Sequence, residues 1–324
     1  MTTAITVREL TKSYGGLRAV DGVSFDVAEG EVLAILGPNG AGKTTTVEIL
    51  EGHRSRDGGE VSVLGTDPDR GGPRFRNRIG IVLQAAGVDR ELSTREALEL
   101  YGAPYSNPRP IDELIELVEL TDKADDRIVS LSGGQRRRVD LALGLIGNPE
   151  LIFLDEPTTG FDPRARRRSW DVISNLTSLG STIVLTTHYL DEAEYLADRV
   201  AVMSKGRIVA DGTPNELRTG VESSTKIAFD LPRLDEPLVA LLEPLTGQGR
   251  GRGRRVEILT SAPTADLAHL TSWAVERGVE LVGLTVESVD LEDVYLSLVG
   301  EHEDPEDPED TRASTATEGG RADG

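Results

Sequence analysis

Residues Gly37-Pro38-Asn39-Gly40-Ala41-Gly42-Lys43-Thr44 follow a continuous apolar run, Val32–Leu36, and open a helical stretch, Thr44–Glu51. A run that is apolar at every position suits a strand buried on both faces. The pattern G-x-x-x-x-G-K-[ST] in that setting makes a turn of small residues. Its successive N–H groups can curl around a cluster of phosphate oxygens. Lys43 then places a positive charge against the β- and γ-phosphates, and the Thr44 hydroxyl suits a Mg²⁺ ion. Alone, the loop reads as a nucleoside-triphosphate hydrolase or a kinase.

The rest of the chain supplies the strands that such a turn needs. Ile5–Leu10 and Val20–Val27 alternate apolar and polar residues, as half-buried strands do. Leu151–Leu154 and Thr182–Thr186 repeat the buried-strand pattern, with helical Arg164–Leu179 between them. That alternation predicts an α/β fold with a largely parallel sheet. Val200–Met203 and Arg207–Ala210, joined by Ser204-Lys205-Gly206, carry a hairpin signal. The section from about Arg95 to Ala124 is helix-rich, with an apolar stripe of Ile111, Leu114, Ile115, Leu117 and Val118.

The composition changes after Gly220. Strand-like Ile227–Leu231, Val256–Leu259 and Leu281–Val286 alternate with helix-like Leu238–Leu242, Ala265–Val275 and Leu291–Val299. A length of 324 residues suits about two domains. The expected organisation is a nucleotide-binding domain over 1–220, with a helical subdomain at about 88–145. A small α+β accessory domain over 221–300 and a disordered acidic tail over 301–324 follow. The tail has nine acidic residues against Arg312 and Arg321 and almost nothing to bury. The basic, Gly-rich segment Gln248–Arg255 reads as a flexible loop, with contact to a partner or to lipid headgroups as the alternative.

Leu151–Leu154 ends in Asp155-Glu156. A strand end beside a phosphate loop is where a second Mg²⁺ contact is expected. Asp155 would hold the ion through its water shell, and Glu156 would polarise the attacking water as general base. Adjacent residues of a strand point to different sides, which suits one metal role and one water role.

Leu131-Ser132-Gly133-Gly134-Gln135 lies upstream and opens a helix. A Ser-Gly-Gly turn at a helix N-terminus offers a hydroxyl and free N–H groups, which makes a second anion site. With this set in place the chain resembles the ATP-binding subunit of ABC transporters. Within that family Leu131–Pro163 is similar to the daunorubicin-resistance, multidrug exporter type, and Leu291–Gly300 looks like its C-terminal helix. The resemblance implies a P-loop ATPase with a mixed sheet core and a helical subdomain. It implies ATP and Mg²⁺ held at Tyr14, which stacks on adenine, at Gly37–Thr44 and Thr45, and at Gln84 and Asp155. Gln84 would read the ion and the nucleophilic water, and His188 would sense the γ-phosphate. Ser132, Gly133, Gly134 and Gln135 of a second copy would close on each ATP, with Asp162 in the turn that crosses the interface. Phe161 stands where the family usually has Leu.

The implied function is an ATPase subunit that powers a membrane exporter of drugs or other hydrophobic small molecules by head-to-tail dimerisation. An importer subunit and a non-transport ATPase of the same family are the alternatives. The implied partners are a second copy in the ATP-bound state and a separate integral-membrane permease, touched by residues about 84–102.

Composition agrees with this placement. The formal charge is −21, from 35 Lys+Arg and 56 Asp+Glu. Such a field repels phosphate backbones and anionic lipid, so nucleic acid is not an expected partner. No stretch approaches the ~20 apolar residues that span a bilayer, and Arg8 and Glu9 stand where a signal peptide would be apolar. Direct membrane insertion is not expected. The chain is expected at the cytoplasmic face of the membrane, peripheral through the permease. There is no cysteine, which excludes thiolate chemistry and disulfides.

Overall fold

A computed structural model describes residues 2–82, 87–178, 180–219, 225–231, 248–252 and 255–288. Strands β1 (Thr3–Tyr14) and β2 (Leu17–Ala28) form an antiparallel pair. After β3 (Val32–Leu36) the phosphate loop leads into helix α1 (Lys43–Leu50), and β4 (Gly58–Val63) returns to pair with β1. A short helix α2 (Pro73–Arg76) leads to β5 (Ile79–Val82), then come helices α3 (Thr94–Gly102), α4 (Ile111–Leu117) and α5 (Gly133–Leu145). The chain continues through β6 (Leu151–Asp155), α6 (Pro163–Ser178), β7 (Thr182–Thr187), α7 (Leu190–Leu196), β8 (Arg199–Ser204), β9 (Arg207–Gly212) and α8 (Pro214–Thr219).

Among the described residues the larger sheet has six strands in the order β5-β6-β7-β3-β8-β9. It is parallel from β5 to β8, and the predicted hairpin adds β9 antiparallel at the edge. The expected mixed sheet is therefore present. A second sheet, β2-β1-β4, is antiparallel and covers one face of the first.

The unbroken apolar pattern of β3 has a direct cause. Val32, Ala34 and Leu36 enter one core with the helices, whereas Leu33 and Ile35 enter the other with β1, β2, β4 and α1. Strand β6 splits the same way, Ile152 and Leu154 to one side and Leu151 and Phe153 to the other. Each such side chain, fully buried, contributes roughly 1.5–3 kcal/mol. Helices α3 to α5 have no separate core among the described residues. Leu98, Leu114, Ile115 and Val118 belong to the cluster that also contains Ile152 and Leu154, and α4 itself packs on α3 and α5. Ser93 opens α3 with a capping box to Glu96, which satisfies two N–H groups that the helix leaves open.

Towards the C-terminus, β10 (Thr225–Asp230), β11 (Gln248–Arg252), β12 (Arg255–Thr260) and β13 (Val282–Ser288) form an antiparallel sheet in the order β11-β12-β10-β13. Helix α9 (Pro263–Arg277) packs Leu270, Trp273 and Ala274 against Ile227, Phe229, Val256 and Ile258. The segment expected as a flexible loop is thus corrected: Gln248–Arg252 is an edge strand, with Gly249 paired to Ile258 and Gly251 to Val256. Alternating Gly and Arg has the period of a strand, and an edge strand needs hydrogen bonds on one side only. The helical expectations at Leu238–Leu242 and Leu291–Val299, and the acidic tail, lie outside the described residues.

Candidate active site

The parallel register assembles the site. Leu36 pairs with Thr187, and Asp155 pairs with Thr186, so β3, β7 and β6 end side by side. The next residues are Gly37, His188 and Glu156. Parallel α/β sheets bind ligands at these carboxyl ends, where connections leave open space.

The phosphate loop is fixed by close packing. A Cβ on Gly37 would lie 2.3 Å from the Met203 carbonyl oxygen. Gly42 has φ +102°, and a Cβ there would lie 2.2 Å from the Ala19 carbonyl oxygen. Neither position admits a side chain. Gly42 caps α1 without a side-chain hydrogen bond, and no acid lies in the first turn. The dipole and N–H groups of that helix end are left to an anion from outside. Asn39 and Gly40 are exposed at the loop tip, Pro38 is half-buried, and the Ala41 carbonyl accepts from Gly206 N–H at 2.9 Å. Thr45 is half-buried on α1.

Lys43 is only 4% exposed. Its Nζ donates to the carbonyls of Gly37 (2.8 Å) and Pro38 (3.1 Å) and lies 3.8 Å from Glu156 Oε1. Burial lowers its pKa, against the raising effect of the Glu156 and Asp155 charges. Thr44 Oγ1 donates to Asp155 Oδ1 at 3.4 Å, and Thr186 Oγ1 donates to the same oxygen at 2.5 Å. Thr44 and Asp155 thus present a hydroxyl and a carboxylate to one point. That is an all-oxygen donor set suited to Mg²⁺, which takes one or two carboxylates and completes its shell with water and phosphate.

Glu156 has φ +46°, a left-handed backbone that costs a non-glycine residue about 1–2 kcal/mol. Its N–H donates to the carbonyl (3.2 Å) and hydroxyl (3.1 Å) of Thr186, which hold it there. Thr159 Oγ1 donates to Glu156 Oε2 at 3.0 Å, and His188 Nδ1 lies 3.3 Å from Oε1 without the alignment of a hydrogen bond. Backbone strain of this sort is met at functional positions.

Lys43, Thr44, Asp155, Glu156 and His188 are therefore together. Tyr14 is half exposed, with the Arg54 guanidinium 5.2 Å and the Lys12 ammonium 5.7 Å from its ring centre. These two contacts come from β1 itself and from the segment after α1. Gln84 lies outside the described residues; β5, which ends just before it, pairs Val82 with Leu154.

Ser132, Gly133, Gly134, Gln135 and Asp162 are elsewhere. They line a cleft of about 510 Å³ with Arg138, Arg164 and Arg168, and no residue of the phosphate loop takes part. Ser132 caps α5 in a capping box. Its Oγ accepts from Gln135 N–H at 3.3 Å, and Gln135 Oε1 accepts from Ser132 N–H at 2.8 Å. The hydroxyl proton of Ser132 is left to donate outward. Asp162 Oδ1 accepts from the N–H groups of Arg164 (2.9 Å) and Ala165 (3.0 Å) at the start of α6, which holds its pKa below the usual carboxylate range.

Two buried acids were not anticipated. Glu192 is 0% exposed, and Oε1 accepts from Thr158 Oγ1 (2.7 Å) and Trp170 Nε1 (2.9 Å). It joins α7, which follows His188, to α6 and to the turn after Glu156. Burial raises its pKa. Glu192→Ala leaves two buried donors without an acceptor, so we expect a loss of about 3 kcal/mol in urea unfolding. A loss below about 0.5 kcal/mol would contradict this role.

Glu51, at the end of α1, is 3% exposed, and burial, then the Asp155 and Glu48 charges, push its pKa from 4.5 up to about 8. The folded chain keeps this proton where the unfolded chain has lost it. Stability supplied by the neutral acid is full below pH 4.5 and is lost as pH rises to about 8, by at most about 1.4 kcal/mol per pH unit. Glu51→Gln is expected to flatten that limb in unfolding titrations from pH 5 to 8, and equal slopes for the two proteins would contradict the assignment.

Comparison with known proteins places the chain in a family. The ABC transporter family pattern matches residues 20–159, and the pattern of an ABC transporter domain-containing protein-like C-terminal domain matches 225–289. The daunorubicin resistance ATP-binding protein DrrA3 of Streptomyces coeruleorubidus is 42% identical over 311 residues, covering 92% of this chain and 96% of that protein. The Nod factor export ATP-binding protein I of Ralstonia nicotianae is 36% identical, covering 92% and 94%. A solved dimeric ATP-binding cassette, in a post-hydrolysis state bound to ADP and Pi, superposes with a TM-score of 0.58 at 26% identity, covering 64% of this chain and 98% of that one. Among the described residues no helix is long and apolar enough to cross a membrane. The chain belongs to the ATP-binding subunits of ABC transporters, of the daunorubicin-resistance type, a family of ATPases that couple ATP hydrolysis to transport.

Proposed function

We propose that two copies of this chain sandwich two ATP molecules head to tail and so drive a separate integral-membrane permease that exports drugs or other hydrophobic small molecules. One observation carries the reading. The phosphate loop, Asp155, Glu156 and His188 share one site, whereas Ser132–Gln135 and Asp162 share a cleft that has no phosphate-loop residue. A phosphate-binding helix end with no phosphate loop beside it is explained if it serves the ATP of another copy.

In this mechanism the N–H groups of Gly37–Thr44 and the Lys43 ammonium bind the β- and γ-phosphates. Thr44 and Asp155, with Gln84, would hold Mg²⁺, which when bound neutralises charge on the phosphates. Glu156 accepts the proton of the attacking water, and the Thr159 bond and Thr186 contacts keep its carboxylate in place. His188 and Lys43 stabilise charge on the transferring phosphoryl group. Tyr14 stacks on adenine. Ser132, Gly133, Gly134 and Gln135 of the second copy close over the γ-phosphate, with Asp162 beside the contact. The nucleotide-binding domain is assigned to 1–220, the accessory domain to 221–300 and the tail to 301–324. The chain works at the cytoplasmic face of the membrane, held by the permease.

Export rather than import is favoured by the relatives, which include a daunorubicin resistance protein and a Nod factor export protein. The test is disruption of the gene in its source organism, followed by measurement of retained daunorubicin. Retention is expected to rise and to be reversed by the wild-type chain but not by Glu156→Gln. Unchanged retention would remove drug export from the account.

A further inference from the structure

Arg137 lies on α5 just past the Ser132–Gln135 cap, with only 11% of its side chain exposed. Its neighbour Arg138 lines the cleft and also borders the apolar contact with Val82, Leu154 and Pro157 that Arg137 enters. There its Nε donates to the Pro157 carbonyl at 3.2 Å and its Nη2 to the Asp155 carbonyl at 3.3 Å, with the Glu156 carbonyl 3.5 Å from the same nitrogen. The acid paired with it, Asp140, stands 3.9 Å away.

A buried guanidinium is costly unless its donors are well used. This one spends a planar fork on the backbone of three consecutive residues, and those three contain the metal-binding and water-activating carboxylates. Lysine would not replace it, because a point charge cannot span successive carbonyls.

One helix therefore carries two functions. Its N-terminus, at Ser132–Gly134, is the edge offered to the ATP of another copy. Its next turn grips the backbone around the chain's own Glu156, whose strained φ of +46° is held from the opposite side by Thr186. We propose that Arg137 is a positioning residue that transmits the docking of a second copy's ATP at Ser132–Gly134 into the placement of Glu156 in the same copy. The inference rests on the sandwich reading above and adds to it the route by which each ATP site senses the other. Docking at one site sets the base at the next, so hydrolysis is cooperative in ATP.

The test compares the full-length wild type with Arg137→Leu and Arg137→Gln. The readouts are kcat, KM and Hill coefficient for ATP, the ATP dissociation constant and the thermal midpoint. Leucine and glutamine both remove the buried charge and leave the half-buried Asp140 without this partner, so each variant is assayed well below its own thermal midpoint. For Arg137→Leu the expected result is a fall in kcat of about tenfold or more, as misplacement of a catalytic group produces. ATP affinity stays at the wild-type value, the fall in kcat persists well below the variant's thermal midpoint, and the Hill coefficient drops towards unity. Glutamine, which still donates one N–H, is expected to recover part of kcat.

Wild-type kcat and Hill coefficient in Arg137→Leu would overturn the proposal. So would a kcat that returns to the wild-type value once each variant is assayed well below its own thermal midpoint, since the side chain would then be structural only. Failure of the sandwich reading is separate and shows in the wild type itself, as hydrolysis without cooperativity and without an ATP-dependent dimer.

Discussion

Glu156→Gln is expected to lower ATP turnover by about 10²–10⁴-fold, the range supplied by a positioned general base, while ATP binding persists. Glutamine keeps the size of the side chain and can still meet the Thr159 hydroxyl, 3.0 Å from Oε2 in the wild type. The backbone contacts to Thr186 do not involve the side chain and remain. What is lost is the one acceptor for the water's proton. The neighbouring acid cannot substitute, because Asp155 Oδ1 already takes the hydroxyl protons of Thr44 and Thr186. Turnover and ATP affinity measured side by side check this. A variant with near wild-type turnover would remove Glu156 from the base role.

Lys43→Ala is expected to act on the opposite quantity. The ammonium is buried against two loop carbonyls and within 3.8 Å of Glu156. Without it, Asp155 and Glu156 face the incoming phosphates uncompensated, and the loop carbonyls lose their donor. Truncating one member of a buried charge pair costs 2–5 kcal/mol, so about 3 kcal/mol, roughly a hundredfold in ATP affinity, is expected. Calorimetric titration with ATP measures it. Affinity within a few-fold of wild type would mean that the loop N–H groups alone hold the phosphates. The two variants thus separate binding from chemistry: one is expected to trap ATP and the other to lose it.

Much of this arrangement was legible because it is encoded locally. The phosphate loop needs glycine where Ala19 and Met203 crowd the backbone, and those glycines stand at fixed spacing in the sequence. Asp155 and Glu156 were legible because a strand buried on both faces must end before it can carry charge. The Ser132–Gln135 pair was legible as a helix start, and the structure makes it a capping box.

Other features depend on which strands become neighbours. Thr186 is an ordinary strand residue until β7 is placed in register with β6 and its hydroxyl meets Asp155. Glu192 looks like an exposed residue of an amphipathic helix, and only the packing of α7 on α6 buries it against Trp170. Arg137 stands among three consecutive arginines, and only the placement of α5 in the fold brings its guanidinium to the carbonyls of Asp155 and Pro157. The strand β11 was missed for a different reason. Its Gly-Arg alternation has the period of a strand but no apolar residue to mark a buried face.

The measurement that most directly tests the sandwich is the solution mass by light scattering of Glu156→Gln in Mg²⁺ with ATP or ADP, alone and combined with Ser132→Arg. The account predicts a dimer in ATP, a monomer in ADP, and a monomer in ATP once Ser132→Arg is added, with ATP still bound. A dimer that forms regardless of nucleotide, or that survives Ser132→Arg, would contradict it, as would an ATP-loaded Glu156→Gln chain that stays monomeric.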